Sequence, residues 1–158
     1  MKDKRALIGM AGLVLLAAGC GREAAVEAVY LDSAQIPIEI RSAYLAKAHI
    51  AEGVSVPMID PQFLYTLAGG EENGRRVIWE QLSASFTLDA SALAAFKSRL
   101  KPIPAPEYVP AQAPVQWWMT VEEFSALEFY AAAPVMKNTN GFIAVRSSDN
   151  TVFMYATK

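Results

Sequence analysis

Residues 83–100 read SASFTLDASALAAFKSRL, and the fold is decided by how this stretch is parsed. Ala84, Phe86 and Leu88 alternate with Ser83, Ser85 and Thr87, the two-residue period of a strand with one buried face. Asp89 then offers an N-cap carboxylate to a helix running from Ala90 to about Leu100, with Leu93, Phe96 and Leu100 on one stripe. Lys97, Arg99 and Lys101 fall in its last turns, where cations suit the negative end of the helix dipole. A strand running directly into an amphipathic helix seeds a mixed fold.

Toward the C-terminus, Pro102, Pro104, Pro106, Pro110 and Pro114 crowd residues 101–116 and forbid helix or central strand there. That stretch is expected to run extended over the surface, as a spacer inside one domain. Thr120-Val121-Glu122-Glu123 has the pattern of a capping box that opens a short helix. Glu128 to Ala132 reads as a short strand. Phe142 to Arg146 and Thr151 to Tyr155 read as a hairpin over the polar turn Ser147-Ser148-Asp149-Asn150.

Toward the N-terminus the signals compete. Asp60-Pro61 is a suitable helix start and Gly69-Gly70 a matching stop. The same residues also fit a hairpin, with Phe63 to Leu67 and Arg76 to Trp79 as strands and Gly69 to Arg75 as the loop. From Gln35 to Glu52 the Ala-rich composition and apolar spacing favour a helix. Together these readings predict an α+β fold in which a small antiparallel sheet with a C-terminal hairpin packs against one or more helices. One such domain is expected over residues 34–158.

Composition narrows the possible functions. The chain has 158 residues, 53% apolar and 19% charged, with formal net charge −2 and one cysteine. Such a chain suits a single folded domain and excludes intrinsic disorder. Near-neutral charge leaves no electrostatic footprint for nucleic acid. A lone cysteine forbids an internal disulfide and any cluster of cysteine metal ligands.

The first residues carry an address. Lys2, Lys4 and Arg5 precede an uncharged run from Ala6 to Ala18, which is shorter than the roughly 20 residues of a membrane-spanning helix. The run closes on Leu15-Leu16-Ala17-Ala18-Gly19-Cys20. This stretch resembles the lipobox of bacterial lipoprotein precursors, with Ala17 where that family usually has Leu. The resemblance implies that residues 1–19 are a signal peptide removed on export and that Cys20 is diacylated on its thiol and acylated at its new amino terminus. Residues 20–33 then form the lipidated terminus and a tether. Gly21, where lipoproteins retained in the inner membrane commonly carry Asp, implies an outer-membrane protein facing the periplasm. Removal of residues 1–19 leaves 11 basic and 15 acidic residues, so attraction to anionic lipid is not expected to hold the domain at the membrane.

Within the domain the sequence offers little chemistry. His49 is the sole histidine, which leaves no basis for a serine or cysteine triad or a zinc site, and it reads as a satisfied structural residue. Glu122 and Glu123 are adjacent and diverge on a helix, whereas Glu71-Glu72 reads as part of a solvated loop. Gly69-Gly70 and Gly74 lack phosphate-loop spacing, and Asp149-Asn150 alone cannot ligate calcium. No catalytic residue, metal or cofactor is expected. Trp117-Trp118 stands out: in an extended segment adjacent rings face opposite ways, so one can pack on the sheet while the other meets a partner. Trp117, Trp118 and Tyr108 are therefore the expected interaction residues. The expected role is non-catalytic protein interaction or assembly at the envelope; the alternative is a module that binds a saccharide or small apolar ligand on the same aromatic surface.

Overall fold

The computed structural model describes residues 27–107, 116–133, 135–137 and 140–157. Six strands form one antiparallel sheet: β1 (Glu27–Asp32), β2 (Ile59–Glu72), β3 (Arg75–Thr87), β4 (Glu128–Ala131), β5 (Asn140–Arg146) and β6 (Thr151–Thr157). Their order across the sheet is β1-β2-β3-β6-β5-β4. Helices α1 (Ile38–His49) and α2 (Ala90–Lys97), the single turn α3 (Val121–Phe124) and a 3₁₀ turn at Ser33–Gln35 complete the described elements. The expected antiparallel sheet and C-terminal hairpin are present, in a fold where strands outweigh helices.

The competition around Asp60 resolves as a hairpin, with strands far longer than the sequence suggested. Asn73 and Gly74 have φ of 52° and 74°. Two successive positive φ values make the two-residue turn whose twist matches paired strands, and Asn-Gly is its preferred sequence. Asp60 caps no helix. It takes φ 47° at a register shift between Ile59 and Gln62, so Asp60-Pro61 forms a bulge, where a residue without an N–H is tolerated. Gly69 and Gly70 lie within β2, opposite Ile78 and Val77, and Glu71-Glu72 end the strand instead of sitting in a loop.

Residues 27–32, expected to belong to a tether over 20–33, instead pair with Leu64–Gly69 as strand β1, and residues 20–26 lie outside the described residues. Val29, Tyr30 and Leu31 make only a three-residue apolar run between acidic ends, too short to mark a strand alone, and the length of β2 supplies its partner.

The strand–helix unit forms with the expected cap and buried stripe, but the helix ends at Lys97 instead of about Leu100, leaving Arg99 and Lys101 beyond it. Asp89 accepts a hydrogen bond from the Ala92 amide at 2.7 Å, and Leu93, Phe96 and Leu100 are buried. Its strand differs from the reading. Ser83 and Ser85 are buried along with Ala84 and Phe86, so this part of β3 is covered on both faces. On one face Leu45 of α1 and Leu93 and Phe96 of α2 pack with Phe63, Leu82, Phe86, Ile143 and Met154. On the other, Trp118, Met119 and Leu127 pack with Phe129, Phe142, Phe153 and Tyr155. In β5, Gly141 has φ +148°, and a Cβ there would fall on the Tyr155 carbonyl oxygen. Only glycine lets the backbones of β5 and β6 meet at this point.

Candidate functional site

The segment from Gln116 to Phe124 lies across the second face of β4–β6, and local chemistry fixes it there. Thr120 Oγ1 accepts from the Glu123 amide at 3.2 Å, and Glu123 Oε2 accepts from the Thr120 amide at 3.0 Å, so the expected capping box forms. Glu123 also pairs with Arg146 at 2.9 Å, which ties α3 to the β5–β6 turn. The Arg146 guanidinium stands over the Phe153 ring at 5.3 Å, while Trp118 meets the same ring edge-on at 5.7 Å. Phe124 packs against Phe129 at 4.7 Å.

The two expected tryptophans are brought together with their rings perpendicular, 6.0 Å apart. They divide the two roles available to such a pair. Trp118 is only 6% exposed and belongs to the core, whereas Trp117 is half-buried at its margin. Val121, on the same segment, is 72% exposed. Tyr108 and Cys20 lie outside the described residues. The proline stretch is described to Glu107, and its first residues close the outer edge of β4. The Ile103 amide donates to the Phe129 carbonyl and the Ala131 amide to the Lys101 carbonyl, both at 2.9 Å. The extended course expected there therefore includes sheet-like pairing.

Two polar clusters lie away from this segment. Glu128 accepts from Lys97 Nζ at 2.6 Å, Tyr130 Oη at 2.8 Å and Ser147 Oγ at 2.5 Å. These donors, Lys97 foremost, pull its pKa down to about 2. A carboxylate held ionised this far below neutrality clamps α2 to the sheet and is poorly matched to general acid–base work near pH 7. His49 is not the satisfied histidine expected. Its Nε2 is buried and has no hydrogen-bond partner among the described residues. Its ring lies 5.2 Å from that of Tyr65 and 6.4 Å from that of Tyr44. Burial holds its pKa below the ordinary imidazole value, with Glu80 opposing and Lys137 reinforcing that effect. Among the described residues no group of three or more His, Cys, Asp or Glu side chains is arranged to hold a metal ion.

Sequence reasoning passes over Trp79. It is 45% exposed and lies on the same face of the sheet as Ser83 and Ser85, beyond the last residue of β6 that pairs with β3. Counting back by twos from Ser85 and Ser83 through Gln81 puts Trp79 and Val77 in the polar phase of that alternation, which places this ring on the face the sequence reads as solvated. Comparison with protein-family models, with curated proteins and with solved structures finds no match for this chain.

Proposed function

We propose that the chain is a bacterial lipoprotein, anchored through Cys20 at the periplasmic side of the outer membrane, and that its folded part acts by contact with an envelope protein rather than by catalysis. The observation that carries the reading is the Leu15–Cys20 sequence, with the only cysteine of the chain at the expected cut. The contact half draws support from the 116–124 segment, which presents half-buried Trp117 and exposed Val121 over a rigid base. A large aromatic beside a β-branched residue on a fixed support suits a protein interface. Trp118 supports that base from beneath and does not itself offer a contact.

Labelled palmitate separates the anchored from the unanchored chain. Wild-type protein should incorporate label and fractionate with outer membranes, while Cys20→Ser accumulates as unlabelled precursor. A mature, labelled Cys20→Ser product contradicts the anchor. For the contact, crosslinking in intact cells should give a discrete adduct that Val121→Asp abolishes without lowering thermal stability. An unchanged adduct moves the interface away from α3.

A further inference from the structure

We propose that the open face of the β1–β3 half, centred on Trp79, rests on the bilayer that holds the lipidated Cys20, an inference that depends on the lipoprotein reading above. Strand parity places Leu64 and Thr66 of β2 and Val77 and Trp79 of β3 on one face. This is the face that the 116–124 segment covers over β4–β6. Over the β1–β3 half, Leu64, Thr66 and Val77 are half-exposed and Trp79 is exposed. On the opposite face α1 covers Phe63 and Tyr65, with Tyr44 stacked on Phe63 at 5.2 Å and His49 5.2 Å from Tyr65, while Ile78 nearer the hairpin end is exposed.

Chain length points to the bilayer as the occupant. Six residues, 21–26, separate Cys20 from the first residue of β1. Fully extended they reach about 20 Å. The register continues Ala28–Ala68–Trp79 across the sheet, which sets Trp79 two strands, about 10 Å, from β1. An anchor at Cys20 would therefore hold Trp79 within roughly 30 Å of lipid at all times, a high effective concentration for even a weak contact.

Chemistry agrees with this placement. Tryptophan favours the water–hydrocarbon boundary, where its ring is buried and its N–H stays hydrated. In register Glu71 pairs with Arg76 and Glu72 with Arg75, so the hairpin end has as many basic as acidic residues. The contact is made by Leu64, Thr66, Val77 and Trp79, beside the part of the same face that the 116–124 segment covers.

The test uses the full lipidated protein reconstituted in vesicles of phosphatidylethanolamine and phosphatidylglycerol, with and without lipids brominated on their acyl chains. The acyl label is measured on the same preparation. The proposal expects bromolipid quenching of tryptophan emission that disappears in Trp79→Phe and persists in Trp117→Phe. Labelled protein whose emission is not quenched, or is quenched equally in Trp79→Phe, overturns the membrane contact and leaves the anchor standing. Trp79 emission that is unquenched by bromolipid but altered by soluble envelope proteins assigns the face to a protein and also overturns it. Protein that carries no acyl label overturns both readings together.

Discussion

From the second half of β3 through β6 and β5 to β4, the sheet is buried on both faces, whereas from β1 to the first half of β3 it is covered on one at most, by α1 over Phe63 and Tyr65, with Ile78 and Trp79 exposed on opposite faces. The strands of the two halves are continuous through β3, so the difference lies in the segments available to cover them. After β3 the chain supplies α2 to one face and, past the prolines, the 116–124 segment to the other. Among the described residues before β3, α1 and its flanking residues Ile36, Ile50 and Met58 join the first face, and none joins the cluster on the other. The outer edges differ in the same way: Lys101 and Ile103 pair with β4, while β1 is the last strand on its side. Covering both faces has a cost, since Ser83 Oγ and Trp118 Nε1 are buried without hydrogen-bond partners among the described residues. The β1–β3 half carries one such group too, His49 Nε2 beneath α1, but leaves Trp79 exposed on its other face.

Truncating the two tryptophans should separate the halves most sharply. Trp118→Ala is expected to destabilise by about 3–5 kcal/mol, the loss typical of a buried aromatic. Trp79→Ala should stay within about 0.5 kcal/mol, as for an exposed site. Denaturant melts of both variants check this, and equal losses would erase the distinction. Within the covered half, Gly141→Ala should cost about 3 kcal/mol, because the new Cβ meets the Tyr155 backbone at a φ that side chains rarely adopt. The same measurement on Ser83→Ala should show a gain of about 1 kcal/mol, because the change removes a buried hydroxyl that has no partner among the described residues. A loss there would mean that the hydroxyl is bonded.

The smallest effect concerns pH. Glu128 is depressed from 4.5 to about 2, so its contribution is complete above pH 4.5 and fades as pH falls from 4.5 toward 2. Its side chain is 44% exposed, and screening holds the effect below about 1 kcal/mol. Acid melts of Glu128→Gln should lose this part of the pH dependence. An unchanged profile would show that the Lys97–Glu128 clamp contributes nothing to the covered half.

The sequence is most legible where local chemistry alone decides the conformation. Asp89 and Thr120 cap their helices as expected, and the Ser147–Asn150 turn joins β5 to β6. It is least legible where partners distant in sequence decide. Ser83 and Ser85 carry a surface strand's alternation, yet they are buried, on the face that the 116–124 segment, some thirty residues on, covers. Residues 27–32 look like a tether until β2 pairs with them. Asn73-Gly74 is a local signal in plain view, outweighed in the sequence by the helix-like Asp60-Pro61 start. The tryptophan pair is legible as two rings with different environments; which ring is buried is not, because that depends on Phe153.

Native-state amide hydrogen exchange tests the division of the sheet most directly, since it reports the opening free energy of each strand. The amides of β5, β6 and residues 82–86 of β3 should exchange only through global unfolding. Those of β1 and of the hairpin around residues 67–80 should exchange through a cheaper local opening. Equal protection across all six strands, or earlier exchange from β5 and β6, would contradict a sheet divided into a covered and an open half.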